Sequence, residues 1–269
     1  MNLQSAADTP EVVLAEMRRF LAQNQVLKDS VFQKFPNLDG IQKELENDFR
    51  YVKYYYPDSS IPKIITYIGN FGYREMYTND GLGISLDFYM GNKFSYYQIP
   101  EVLEVFPAYL SRKFSPEYLP VNTMNALIDD FYPPDDESDT ASTTLLEQII
   151  DRGKRLYLLN KFLPNTADTL KLGYTGLQYE WCKANEGQIW NFLLEQNVLY
   201  NHDPEIIKNY MSDAPTTQNM PALAPGNIGS FVGWQIIKKY IARKGDMGPQ
   251  KLMTIPPRDL FNDAQYNPK

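Results

Sequence analysis

The pattern of apolar positions predicts a mostly helical chain with one long helix at its centre. Within Thr143–Pro164, apolar residues recur in pairs three and four positions apart, the period of a helix with one buried face. Thr144 and Glu147 form a capping-box pattern at its start, and a proline marks its end. Asp151 and Arg155 on the polar face are spaced for an i,i+4 ion pair. We therefore expect a buried central helix.

The N-terminal part is predicted to hold a helical pair and a small sheet. One helix begins at Thr9-Pro10-Glu11, and a second covers about Leu38–Tyr56. Alternating apolar and polar residues then indicate three strands with hairpin-like connections, and Asn79-Asp80-Gly81 is a turn signal before the third. The predicted strands are residues 63–68, 73–78 and 83–90.

From residue 99 onward the chain is predicted to be helical, which gives an α+β fold that is predominantly α-helical. We expect a single domain over residues 1–269, with the helical pair and sheet at 8–91, the helical part at 99–245 and a tail at 246–269. The predicted helices of the second part are 100–114, 118–131, 143–163, 175–196, 204–211 and 227–243.

The helix predicted at 227–243 carries two glycines on one face. Gly in a helix interior costs on the order of 1 kcal/mol relative to Ala, so Gly229 and Gly233 need a reason. Close packing against the central helix is the first interpretation, and a ligand passing over the glycine face is the second. Gly229, Gly233 and Trp234 are therefore candidates for contact with a ligand or partner.

Composition narrows the function classes. The chain has 43% hydrophobic and 22% charged residues and a net charge of −7, which describes a globular protein and argues against nucleic-acid binding. No apolar run approaches the length of a transmembrane helix, and the first residues do not resemble a signal peptide. The single cysteine, Cys182, excludes an intramolecular disulfide and a multi-cysteine metal cluster.

Candidate catalytic residues are few. The one histidine, His202, is predicted to lie in a loop, and no nucleotide-binding or serine-hydrolase motif is present. Paired carboxylates remain, with Asp87, Glu147 and Asp151 as candidates for a metal-independent hydrolase. The acidic stretch 133–139 is interpreted as a solvated loop rather than a calcium site, and the 20 tyrosines as core edges or, alternatively, an aromatic binding surface.

Several segments, in order, resemble the gliding-motility lipoprotein GldB family of Bacteroidota. The matching segments are residues 83–91, 150–159, 172–175, 180–190, 213–215, 225–229 and 232–237. The resemblance implies an envelope lipoprotein, tethered by an N-terminal lipid, facing the periplasm and associated with gliding or a related envelope process. The sequence departs from the family in lacking a lipoprotein signal and its lipidated cysteine, so the implied anchor would lie upstream of Met1.

The family also looks distantly similar to zinc peptidases of the zincin fold, whose active-site helix carries His-Glu-x-x-His. That resemblance would place the motif at residues 146–150 of the central helix, where Glu147 remains but Leu146 and Ile150 stand at the two histidine positions. The implied fold is a degenerate zincin with no bound metal or other cofactor.

The function expected from this reasoning is partner binding without catalysis. The partners would be other envelope proteins, with no nucleic acid, and with membrane contact only through the implied lipid. The alternatives are a metal-independent hydrolase and a glycan-binding module that uses the same cleft.

Overall fold

The computed structural model describes residues 9–133 and 143–269, and most of them are helical. The predicted class, predominantly α-helical with a small sheet, is confirmed. The acidic stretch from residue 134 onward lies outside the described residues. The α-helices are α1 Pro10–Gln23, α2 Gln25–Lys34, α3 Asp39–Tyr55, α4 Pro100–Val105, α5 Ala108–Ser111, α6 Leu119–Phe131, α7 Leu145–Phe162, α8 Asp168–Leu172, α9 Gly176–Ala184, α10 Glu186–Glu195, α11 Pro204–Met211, α12 Ile228–Lys244, α13 Pro249–Thr254 and α14 Pro257–Ala264.

Helix α7 is the centre of the molecule, as its sequence pattern predicted. Its apolar face is buried, and α3, α6, α11, α12, α13 and α14 all contact it. The predicted capping box forms between Thr144 and Glu147. The predicted ion pair also forms, with Arg155 Nε 3.1 Å from Asp151 Oδ2. The chain is therefore arranged around one helix with a well-defined N-terminal end.

The sheet has three strands: β1 Ile64–Tyr67, β2 Glu75–Thr78 and β3 Gly81–Ser85. Their order is β1-β3-β2, with β2 and β3 antiparallel and β1 and β3 parallel. The turn predicted at Asn79 joins β2 and β3 as a hairpin. The expectation of hairpin-like connections throughout was wrong, because β1 pairs with β3 and not with β2. The chain crosses from one edge of the sheet to the other between β1 and β2.

The third strand ends earlier than predicted. After Ser85 the chain forms a 3-10 turn, Leu86–Tyr89, so Asp87 lies in a turn and not on a strand. Asp87 accepts hydrogen bonds from the backbone N–H groups of Gly69, at 3.1 Å, and Phe71, at 2.7 Å. These bonds direct the chain away from the sheet. The alternating pattern was misleading because this whole segment is buried.

Three predicted helices are interrupted where a residue competes with the helical hydrogen bonds. The amide side chains of Asn24 and Asn185 bond the carbonyls of Phe20 and Trp181, each four residues earlier, at 2.9 and 2.8 Å. The N-terminal helical pair is therefore three helices, and the predicted helix 175–196 is α9 and α10. Pro107 separates α4 from α5 within the predicted helix 100–114.

The C-terminal residues form part of the core. Leu252 on α13 and Leu260 and Ala264 on α14 are fully buried. Lys154, a buried lysine on α7, donates to the Ile255 carbonyl at 2.5 Å. Among the described helices, none is both long and apolar enough to cross a membrane.

Candidate functional site

Glu147, the carboxylate to which the zincin resemblance would assign the role of a base, is engaged at both oxygens. Oε2 accepts from the Thr144 backbone N–H at 2.8 Å and the Thr144 hydroxyl at 2.7 Å, and Oε1 accepts from Arg258 Nε at 2.8 Å. Burial alone would raise the pKa of Glu147, but the hydrogen bonds from Thr144 and Arg258 outweigh it and lower the pKa. A carboxylate with a lowered pKa is a poor general base near neutral pH.

Leu146, just before Glu147, and Ile150, three positions after it, belong to the core. Leu146 is 2% exposed and Ile150 is 0% exposed. The first backbone N–H groups of α7 are also occupied, because the Leu145 N–H bonds Asn201 O at 3.0 Å and the Leu146 N–H bonds Leu199 O at 2.8 Å. Aliphatic side chains have no lone pair to give to zinc. In the part of the chain that the structure describes, no group of three or more His, Cys, Asp or Glu is placed to hold a metal ion.

The other two candidate carboxylates have structural partners of their own. Asp87 is fully buried and accepts from two backbone N–H groups and from the Ser85 hydroxyl. Asp151 accepts from Arg155, as described above. Among the described residues, Asp87, Glu147 and Asp151 share no hydrogen-bond or ion-pair partner.

The glycines of α12 lie in its contact with α7. A Cβ atom at Gly233 would lie 2.0 Å from the Ile149 carbonyl oxygen, and one at Gly153 would lie 2.3 Å from the Gly233 carbonyl oxygen. A Cβ atom at Gly229 would lie 2.3 Å from Met211 Sδ. The glycine face is thus filled by protein, and the backbones of α7 and α12 approach more closely than side chains would allow.

Trp234 is buried beside a group of polar side chains. Lys238 Nζ lies 4.5 Å from its ring centroid and Lys171 Nζ lies 5.8 Å from it. Lys171 also donates to Asn160 Oδ1 at 2.6 Å. The indole is 4% exposed, so most of its surface already contacts this chain.

A charged cavity between β2 and α6 is a stronger candidate for a binding site than the carboxylates, the glycine face or Trp234. Its volume is about 370 Å³. Its walls come from both elements and include Arg74, Glu75, Asn122, Asn125 and Asp129. The charged residues Lys113, Arg152 and Asp213 interact electrostatically with Arg74 or Asp129 of its lining. We call the cavity together with these three residues the charged cleft.

One wall of the charged cleft is a connected hydrogen-bond network. Arg74 Nε lies 2.9 and 2.8 Å from the two carboxylate oxygens of Glu75. The Tyr89 hydroxyl donates to Glu75, and the Asn122 amide donates to the Tyr89 hydroxyl at 3.0 Å. Burial alone would lower the pKa of Arg74, but the adjacent Glu75 raises it above its usual value. Arg74 therefore stays protonated, and the carboxylate of Glu75 balances its positive charge.

Asp213 connects the cations of the charged cleft electrostatically. Its Oδ1 lies 2.8 Å from Lys113 Nζ, and it also acts on Arg74 and Arg152. Burial lowers the pKa of Lys113 in spite of this partner. Asp213 thus interacts with cations from three places: the residue just before β2, helix α7 and the segment after α5.

Arg152 is the cation in this group that has no partner of its own. No hydrogen bond or ion pair holds its guanidinium within the described ranges 9–133 and 143–269, whereas the neighbouring Arg155 bonds Asp129 at 2.8 Å as well as Asp151. Arg152 is exposed to solvent at its surface, while crowding by the surrounding protein and then Arg155 lower its pKa, in part offset by Asp129, Asp213 and Asp151. Its planar fork of N–H donors matches a carboxylate.

Sequence reasoning missed the charged cleft, although segments quoted for the family resemblance converge beside it. A Cβ atom at Gly226 would lie 2.4 Å from the Ala214 backbone N, next to Asp213. The Tyr174 hydroxyl donates to the Asn227 carbonyl at 2.8 Å. No local pattern marks these residues, because β2, α6 and α7 meet only in the folded chain.

Comparison with known proteins gives one match. A family model described as gliding motility protein GldB matches residues 2–268. No curated protein and no solved structure matches the chain significantly. Since the family match spans nearly the whole chain, the protein belongs to the gliding motility protein GldB family, which indicates a gliding-motility-associated lipoprotein of the cell envelope.

Proposed function

We propose that this protein is a non-catalytic envelope lipoprotein that acts in gliding motility or a related envelope process by binding another envelope protein. The proposal that the protein is non-catalytic rests on the side chains at the N-terminal end of α7. Glu147 is held at both oxygens, with buried Leu146 and Ile150 at the two positions where zinc ligands would stand. A lipid anchor and a periplasmic orientation belong to the same proposal and come from family membership.

The charged cleft is the proposed contact with the partner. Its cavity of about 370 Å³ admits a few side chains rather than a large cofactor. Arg152 offers an unpaired guanidinium, and the surrounding cations are already matched by Glu75, Asp129 and Asp213. Asp129, Asp213 and Asp151 act on Arg152 electrostatically, but among the described residues none of them is bonded to it. The contact that Arg152 lacks is a directly bonded carboxylate, so the partner would present an aspartate, a glutamate or a chain terminus.

A photoreactive amino acid at Asn125, inside the cleft, tests this contact in living cells. We expect one discrete cross-linked protein, with the adduct reduced at least about tenfold by Arg152→Glu, because charge reversal opposite a carboxylate costs several kcal/mol. Arg152→Lys, which keeps the charge, should retain most of the adduct. The same photoreactive residue at exposed Tyr200 is the control and should not give this adduct.

Two results would contradict the proposed contact. One is an adduct at Asn125 whose yield is unchanged by Arg152→Glu while the variant is present at normal abundance. The other is chelator-sensitive peptide hydrolysis by the purified protein together with stoichiometric zinc, which would overturn the non-catalytic part.

A further inference from the structure

A second cavity lies between α3 and the turn that follows the C-terminal end of α7. Its volume is about 600 Å³, and it shares no lining residue with the cavity of the charged cleft. One wall is a stripe along α3 that includes Glu44, Asp48, Tyr51, Tyr54 and Tyr55. The facing wall is residues 163–166. We call this cavity the tyrosine groove.

Asp48 is an unsatisfied carboxyl group in the groove. Its Oδ2 atom is shielded from solvent and has no hydrogen-bond partner. No ion pair holds Asp48 anywhere in the described part of the chain. Glu44 lies one helical turn before it on the same face, an i,i+4 pair of like charges that is unfavourable in a helix. A carboxyl oxygen that is shielded from solvent is normally hydrogen-bonded, so Oδ2 is suited to receive a partner from outside.

The tyrosines supply flat aromatic surface next to this carboxyl group. Tyr54 is 77% exposed and Tyr51 is 38% exposed, which is high for large aromatic side chains. The rings already accept an ammonium group at one end, since Lys161 Nζ lies 5.7 Å from the Tyr55 centroid and 5.0 Å from the Tyr157 centroid. Lys161 is itself paired with Asp246, and Arg50, which also lines the groove, forms no ion pair with Asp48 within the described residues.

We propose that the tyrosine groove binds an extended protein segment that places an arginine or lysine side chain between Asp48 and the exposed tyrosines. A cation would relieve the repulsion between Asp48 and Glu44 and would stack on the aromatic faces. The stripe from Glu44 to Tyr55 is about 16 Å long at the helical rise, which matches about five extended residues. Asn47 and Asn165 line the groove and carry amides able to bond a peptide backbone.

The proposed contact would depend on pH. Burial, and then Glu44, raise the pKa of Asp48 to about 7. The other charged groups around the groove are Arg50, which lines it, and Lys161 beside Tyr55, while the facing turn 163–166 has none. Since only the ionised carboxylate pairs with a cation, binding should be about tenfold weaker at pH 6 than at pH 8.

The test uses the purified full chain and a short peptide of Gly and Ser with one central arginine, blocked at both ends. We expect saturable binding by calorimetry or fluorescence anisotropy, weakened about tenfold or more by Asp48→Asn and by Tyr54→Ala. The matched controls are Glu46→Gln on the exposed face of α3 and Tyr200→Ala at a distant exposed tyrosine, and both should bind normally. Replacing the peptide's arginine by neutral citrulline should abolish binding.

Three outcomes would overturn the proposal. They are no binding of the arginine peptide at pH 8, equal binding of the citrulline peptide, and binding of neutral oligosaccharides in the groove with no preference for the cationic peptide. Loss of binding in Asp48→Asn counts only if its circular dichroism matches that of the wild type. The result is independent of the cross-link at Asn125, so failure here leaves the proposed function standing and failure there leaves the groove standing.

Discussion

At the scale of residues, two aspartates with opposite environments show how local context decides what a carboxylate does. Asp87 is buried but fully satisfied, by the N–H groups of Gly69 and Phe71 and the Ser85 hydroxyl. Asp48 is only partly buried, but its Oδ2 atom is shielded from solvent and, within the described ranges 9–133 and 143–269, has no hydrogen-bond partner. The sequence singled out Asp87 as a catalytic candidate and passed over Asp48, because both the anchoring of Asp87 and the isolation of Asp48 depend on segments distant in sequence.

Asp48 should make the stability of the protein depend on pH. An unfolded aspartate loses its proton near pH 3.9, whereas the pKa of folded Asp48 is about 7. Between these values the folded state keeps a proton that the unfolded state has lost, so stability contributed by Asp48 falls as pH rises through this window and then levels off. Asp48→Asn should match the wild type near pH 4 and be more stable at pH 8, by about 1 kcal/mol after allowance for solvent screening.

Urea denaturation at several pH values measures this effect. Glu46→Gln, an exposed carboxylate on the same helix, provides the comparison and should leave the pH dependence as it is in the wild type. Identical pH profiles for the wild type and Asp48→Asn would show that Asp48 is ionised normally in the folded protein.

At the scale of elements, the reliable predictions were those with strong local signals. The central helix α7 was predicted from its apolar period and its capping box, which involve neighbouring residues only. The breaks at Asn24 and Asn185 were missed because an asparagine bonding a carbonyl four residues earlier leaves no mark in the apolar pattern. The end of β3 was missed because its continuation is buried on all sides, so alternation gave no information about the turn.

The contact between α7 and α12 should be the most sensitive place in the helical part. Gly233→Ala would place a methyl group 2.0 Å from the Ile149 carbonyl oxygen, in contact with rigid backbone on both helices. We expect a loss of about 3 kcal/mol in the free energy of unfolding, since overpacking against backbone forces the two helices apart. Chemical denaturation followed by circular dichroism is the measurement.

Gly40→Ala is the matched control for this substitution. Gly40 also lies in a helix, but a Cβ atom there would have no neighbour within 4 Å. It should be neutral or stabilising by about 0.5–1 kcal/mol, because alanine is the better helix former. Equal effects of the two substitutions would mean that helix propensity, and not the approach of α7 and α12, explains the glycines.

At the scale of the whole molecule, fold class and family were accessible from the sequence, while the sites were not. The helical part, the three strands and the family segments are properties of continuous stretches. The charged cleft and the tyrosine groove each combine walls from separate parts of the chain. The apolar pattern of α7 does not single out Arg152, and only its electrostatic setting near Asp213 and Arg155 distinguishes it from a surface arginine.

The central claim is that this protein works by binding and not by catalysis at Glu147. Glu147→Gln is a clean test, because glutamine can also complete a capping box, as Gln178 does with Thr175 at the start of α9. The substitution gives up an ion pair with Arg258, whose side chain is 67% exposed, so the cost in stability is at most about 1 kcal/mol.

The most direct measurement is complementation of a strain that lacks the gene, scored by gliding or by the envelope defect of that strain, with protein abundance checked in parallel. We predict that Glu147→Gln restores the wild-type phenotype in full, whereas Arg152→Glu fails at equal abundance. Failure of Glu147→Gln at normal abundance, with Arg152→Glu fully active, would contradict the account and place the function of the protein at the N-terminal end of α7.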